Sequence, residues 1–390
     1  APVALGKPRG DSGVEVLRDP LRSRQRVKMT LKIGFVPLLA GLVLALASPD
    51  PGAAQGTADS AHGASVLERE YPDLYDLLVR VERAHGVLFG QLAAEGDAVR
   101  ATGGDVPTFG FELDMVERLT AVVEGEGTAE DVAAEAERGY AVLGERAAGV
   151  IAHANAFYRD VLGVLADPSI SVRDRRAALD GALQRYLSRP DLALPSAPKD
   201  MGVLYDHPYA LAFRTGYADL DGLTWAGHWL KLAATEPVTD FPRREQRDAG
   251  LDTVTARYFA KLSYGEPPQF FPSEIPLAPS ISPGIIFISP EAAMIWDNAS
   301  MMQEVLADIL ASPAVKDVRA ALDEAVDHFM DPTYRMTVQG EWEIMALRHG
   351  IFFQGGYPLG VLLESELNVG GHFAHLRDGG PIVIPGMPGQ

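Results

Sequence analysis

From about Ala129 to Ala166 the apolar residues of this chain return every three or four positions. Val132, Ala136, Tyr140, Leu143, Ala147, Val150, Ala154, Phe157, Val161 and Leu165 make one stripe. A 3.6-residue period sets such positions on one face, and a face that long must be buried against other helices. The stripe predicts a single helix of about ten turns. Thr128 is its N-cap, Glu130 and Asp131 fill its first turn, and Asp167-Pro168 stops it.

The neighbouring segments carry the same signal. Leu74, Leu77, Leu78, Val81, Val87, Leu88 and Leu92 recur at helical spacing, with Gly96 and Gly103-Gly104 as stops. Glu112–Glu124 has Met115, Val116, Leu119, Val122 and Val123 on one side. Ser171 and Asp174 resemble a capping box for a helix through Leu187. Residues 66–188 therefore read as an antiparallel helical bundle.

Arg189–Asp200 is rich in proline and marks a domain boundary. Beyond it, residues 200–390 read as a smaller, mixed helical and α+β domain. Asp206 can cap a helix starting at His207-Pro208, and Leu220–Thr235 and Arg243–Tyr264 read as helices. Gly265–Pro290 holds seven prolines, which favours extended chain, with Ile285–Ile288 as a short buried strand. Helices follow from Ser289-Pro290 to about Ala311, from Ser312-Pro313 to Met330, and over Trp342–His349. Gly350–Gln390 is Gly/Pro-rich, with short strands expected at Ile351–Phe353, Val361–Leu363 and Ile382–Ile384. The expected fold is mainly α: an N-terminal antiparallel bundle and a smaller Pro/Gly-rich α+β C-terminal part.

Location is written near the start. Ile33–Ala47 is apolar without a charge, follows Lys28 and Lys32, and ends at Ser48-Pro49-Asp50-Pro51. Gly52-Ala53-Ala54 then offers small residues before Gln55. Residues 29–54 read as a signal peptide cleaved before Gln55, with residues 1–28 as a leader upstream of Met29. The apolar run is shorter than the roughly 20 residues of a membrane span, so an uncleaved anchor is the competing reading. Export to the periplasm or outside the cell follows.

The first 54 residues hold 8 of the 34 Lys/Arg and 4 of the 53 Asp/Glu, which leaves the remainder at net −23. So acidic a surface repels phosphate backbones and anionic lipid, which argues against nucleic acid as a partner and confines membrane contact to an uncleaved anchor. With no cysteine, disulfides, thiolate metal sites and Cys nucleophiles are excluded.

Three constellations could carry chemistry. His328, His349, His372 and His375 gather late in the chain, and His372 and His375, aided by Asp378 or Glu366, could hold zinc or iron. The two-His, one-Glu helix pattern of zinc hydrolases is missing, so helix-packed and loop histidines are the plainer reading. Tyr205, Tyr209, Phe213 and Tyr217 are spaced by four, and Trp225 and Trp229 repeat that step, with His207 and His228 alongside. Such a ladder can stack a flat ligand, or it can simply be core. Glu82 and His85 make a Glu-x-x-His step that His153 and Glu145 could face, but di-iron bundles need two such steps; a surface pair near a helix end at Gly86 is the plainer reading. Asp219 and Asp221 are calcium-type ligands without the rest of a calcium loop.

The sequence thus reads as an exported cell-envelope protein, a non-catalytic binder or scaffold whose partner is a small molecule or an envelope protein. It needs no cofactor under that reading. The alternative is a metal-dependent enzyme built on the C-terminal histidines, with zinc or iron.

Overall fold

A computed structural model describes residues 66–103, 109–262 and 275–353, with side chains omitted at Phe109 and 347–353. The signal segment, its cleavage site, His372 and His375 lie outside the described residues. The described chain is mainly α: thirteen helices, one 3-10 turn and no strand. One isolated antiparallel bridge joins Lys199 to Met336.

After a helical stretch over 66–70, the helices are α1 (Pro72–Thr102), α2 (Phe109–Glu124), α3 (Ala129–Val142), α4 (Glu145–Ala166) and α5 (Arg175–Leu187). The 3-10 turn Met201–Leu204 precedes α6 (Ala212–Gly216), α7 (Ala218–Asp240) and α8 (Arg244–Leu262). Then come α9 (Ala278–Ile281), α10 (Pro283–Ile288), α11 (Pro290–Ala311), α12 (Val318–Met330) and α13 (Gln339–Phe353).

The ten-turn helix is two helices. Gly144 sits at φ 90°, a left-handed conformation that suits glycine, and breaks the ladder between α3 and α4. The side-chain stripe survives the break: Val150 and Phe157 are buried, and Phe157 stacks on Tyr186 at 4.5 Å between ring centroids. Thr128 caps α3 as expected, accepting from the Asp131 N–H at 3.1 Å. The capping box expected at Ser171 and Asp174 does not form: α5 begins only at Arg175, Asp174 at its N-cap makes no side-chain cap, and the Ser171 hydroxyl donates to Asp174 Oδ2 at 2.6 Å. Gly96 does not end α1. It is buried where α1 meets α11, and a Cβ there would collide with Leu310 O.

Two expected strands are helical. Ile285–Ile288 belongs to α10, and Ile351–Phe353 ends α13. Proline did not forbid helix in 278–290: α9, α10 and α11 each begin with one in the first turn, where no N–H is needed. The α+β expectation thus fails over the described C-terminal residues, and Val361–Leu363 and Ile382–Ile384 lie outside them. The helix expected at His207-Pro208 is absent, since the chain from Asp206 to Leu211 is loop. The helix expected at Ser312-Pro313 starts at Val318, capped by Asp317 through the Ala320 N–H at 3.0 Å.

The centre of the core is α11. Nineteen of its 22 residues are buried, so it is enclosed on all sides. α1, α4, α6, α9, α10 and α12 all pack on it, so the helices of 66–188 do not form a closed bundle on their own. α1 packs closely on α3, where Gly86 and Gly90 meet Gly139 and leave no room for a Cβ. α7 and α8 form a hairpin, and α4 pairs with α5.

Long cations close helix C-termini, whose carbonyls carry partial negative charge. Arg100 donates to Leu310 O and Ser312 O at 3.1 and 2.9 Å, at the end of α11. Arg319 donates to Leu143 O at 2.7 Å, at the end of α3. The buried Lys199 ammonium donates to His328 O, Asp331 O and Tyr334 O at 2.7–2.8 Å, at the end of α12. Asn298 of α11 pins the Pro-rich segment: it donates to Pro195 O and Ala197 O and accepts from the Lys199 N–H.

Candidate functional site

The Pro-rich segment, once pinned, leads the loop 201–211 over α11 and α12. Between them lies a pocket of about 250 Å³. Val203, Val305, Ile309, Ala321, Ala325 and Phe329 give it an apolar floor, with the two alanines leaving the room. Asp206, His207, Tyr209, Glu324, His328, Tyr334 and Arg335 form its polar and aromatic rim. Arg335 is paired with Asp206 at 2.8 Å, and the His328 ring stacks on Tyr334 at 3.9 Å, almost parallel. These contacts hold the rim before anything binds.

Only two non-glycine residues among the described ones have positive φ, Leu211 at 69° and Arg335 at 46°. Each costs of order 1–3 kcal/mol, and such strain gathers at functional sites. Arg335 is on the rim, and Leu211 ends the loop that covers the pocket. Asp308 holds Leu211 in place. Its fully buried carboxylate accepts from the Leu211 and Phe213 N–H groups at 3.1 and 2.8 Å and from Arg214 at 2.7 Å. The other oxygen contact is His207, whose Nε2 lies 3.5 Å from Asp308 Oδ2.

Behind that pair a row of buried polar groups runs between α7 and α11. Asp221, Thr224 and His228 point from α7, and Glu304 from α11, one turn before Asp308. The Thr224 hydroxyl lies 3.2 Å from Glu304 Oε1, and His228 Nδ1 lies 3.6 Å from it. His85 of α1 stacks on His228 with centroids 5.1 Å apart, and its Nδ1 is 2.9 Å from Val81 O. Burial, then the charge of Lys231, pushes His85 down to about 4. Burial and the neighbouring His85 and Lys231 hold His228 well below its usual range. Burial, then Glu304, lifts Asp221 well above the ordinary carboxylate range, and burial lifts Glu304 to about 7.

The residues singled out in the sequence separate. Phe213, Tyr217, Trp225 and Trp229 are buried in the core, and Lys261 lies over both indoles. Tyr205 is half-buried beneath the Arg214 guanidinium, and Tyr209 lines the pocket. The spacing by four never becomes a ladder, because 205–211 is loop and α6 lasts five residues. His328 reaches the pocket, whereas the His349 side chain, His372 and His375 lie outside the description. Among the described residues no group of three or more His, Asp or Glu is arranged for a metal ion.

Glu82 and His85 are not a surface pair at a helix end. Glu82 pairs with Arg159 of α4, His85 is buried facing His228, and α1 continues past Gly86. His153 instead stacks on Tyr186, and Glu145 is exposed. Asp219 and Asp221 open α7 rather than a loop. Arg214, Asp308, Glu304, Arg335 and Glu324 were not singled out. For Glu304 and Asp308 the signal was polar residues at helical spacing inside the otherwise apolar α11, as at 221, 224 and 228 of α7; Arg214, Arg335 and Glu324 carry no such signal. No protein-family model, curated protein or solved structure matches this chain.

Proposed function

We propose that this chain is an exported, non-catalytic binding protein of the cell envelope. Its ligand is a small molecule with a flat, largely apolar body, seated in the pocket beneath His207–Leu211. The observation that carries this reading is an apolar floor under a held rim of Tyr209, His207, His328 and Tyr334. Ligand sites combine a mostly apolar lining with a few placed polar groups in this way, and about 250 Å³ lies just below their usual range, which favours a small occupant. Flanking strain at Leu211 and Arg335 supports the same place. Export rests on the apolar run Ile33–Ala47 and the small residues before Gln55.

The test is a thermal-shift screen of small aromatic and heterocyclic compounds against the mature chain, repeated on Tyr209→Ala and Ala325→Leu. Hits should lose their shift in both variants while the unliganded melting temperature changes little. Hits that bind both variants as well as the parent would place the site elsewhere, and a screen without hits would count against a binder. N-terminal sequencing of protein recovered from the envelope should begin at Gln55; an intact N-terminus in the cytoplasm would overturn export.

A further inference from the structure

The row behind the pocket has a charge problem that its geometry solves in one way. Asp221 and Glu304 are both buried, and Thr224 lies between them: its hydroxyl is 2.9 Å from Asp221 O and 3.2 Å from Glu304 Oε1. Asp221 Oδ2 and Glu304 Oε2 meet no donor from the described residues. Two ionised carboxylates are acceptors only and repel, so a buried pair with oxygens that meet no donor favours a bound proton.

The nearby cations are committed elsewhere. Arg214 of α6 is hydrogen-bonded to Asp308, although its charge still opposes the rise at both Asp221 and Glu304, and Lys231 of α7 donates to Asn155 of α4 at 2.8 Å. Arg159 of α4 pairs with Glu82 of α1. The remaining neighbours are Gln303 of α11 beside His228, and Tyr258 of α8 across a small apolar cavity from His85. α2 faces it with Leu119 and Val123, and Glu112 of α2 accepts from the Asp219 N–H at the start of α7 at 2.7 Å.

We propose that Asp221 and Glu304 form a proton-binding site between α7 and α11, and that His228 and His85 complete it as neutral partners. The occupied site carries at most one negative charge. The imidazoles stay neutral because two stacked imidazolium rings in a dry core would repel each other as the two carboxylates would. Folding therefore moves protons from imidazole to carboxyl: the unfolded chain in mild acid holds charged histidines and ionised carboxylates, and the folded core holds neither pair fully charged.

The sign of the pH effect follows. The carboxyls have raised folded values, so their contribution is complete below the ordinary 4.5 of Glu304 and is lost as pH rises through about 7. The histidines have lowered folded values, so theirs is complete above the ordinary 6.5 and is lost as pH falls through about 4 for His85. Between about 4.5 and 6.5 the two effects oppose and cancel. The site thus holds stability level in mild acid and loosens α7 from α11 above neutrality.

Two measurements test it on the mature chain. Infrared spectra at pH 7 should contain the C=O stretch of a neutral carboxylic acid that diminishes in Asp221→Asn or Glu304→Gln. Urea unfolding should then be followed from pH 4.5 to 6.5. In His85→Gln/His228→Gln the folding constant should fall with rising pH, by up to about tenfold per pH unit for each remaining carboxyl. In Asp221→Asn/Glu304→Gln it should rise with pH instead, with the parent chain between the two. An unchanged acid band in both single variants, or one common pH slope for all three proteins, would overturn the proposal. If a double variant fails to fold, the infrared result on the near-isosteric Glu304→Gln decides alone.

Discussion

Asp308→Ala attacks the most heavily used carboxylate in the core. Asp308 is fully buried, and its partner Arg214 is almost as enclosed. Removing it takes from the guanidinium its hydrogen-bonded counter-charge. Breaking a buried pair from one side costs about 3–5 kcal/mol. The Leu211 and Phe213 N–H groups also lose their acceptor, and each buried orphan is worth about 1–3 kcal/mol, so the cost belongs at the upper end of that range. Domains have only about 5–15 kcal/mol in total, so the variant should be marginal at room temperature. Urea unfolding followed by tryptophan fluorescence and far-UV circular dichroism should show a much lower midpoint with the slope unchanged. Arg214→Met/Asp308→Leu should cost less than the two single changes added together, because it removes the unpaired charge. It should not return to the parent value, because Leu211 and Phe213 still lack an acceptor. A loss below about 1 kcal/mol for Asp308→Ala, or strict additivity in the double variant, would refute this account of the pair.

Three further substitutions probe other joints of the fold. Gly139→Ala should destabilise by at least about 2 kcal/mol, since a Cβ there collides with Gly86 O at the α1–α3 crossing; a neutral thermal melt would show that the helices are not so close. Lys199→Met should cost about 3 kcal/mol by stranding carbonyls at the end of α12, measured by urea unfolding, and a loss no larger than a surface change would mean water replaces the ammonium. Leu211→Gly should lie within about 1 kcal/mol of the parent, because relief of a left-handed leucine offsets the lost packing; a cost of several kcal/mol would deny the strain at this position.

The mainly α class and the faces that pack were legible in the sequence, because helical periodicity is local and burial must follow it. Leu74, Val81, Val150 and Phe157 are buried as their spacing requires. Thr128 caps α3 for an equally local reason. Periodicity could not see Gly144: a single residue in left-handed conformation cuts the ladder while leaving the side-chain stripe in phase. Nor could it see that Ile285–Ile288 is helix, since short apolar runs fit either period.

The candidate site was decided by tertiary structure. Tyr209 and His328, far apart in the chain, line one pocket where Asn298 pins the Pro-rich segment and Lys199 closes α12 beside it. Trp225 and Trp229 have the same aromatic chemistry as Tyr209, yet they went to the core, because they stand on the inner face of α7 while Tyr209 stands on a loop. Asp221, His228, Glu304 and His85 are ordinary polar residues in sequence. What pushes the pKa of Asp221 up and of His228 down is three helices closing around them and excluding water, which is a property of the packed core and of no single segment.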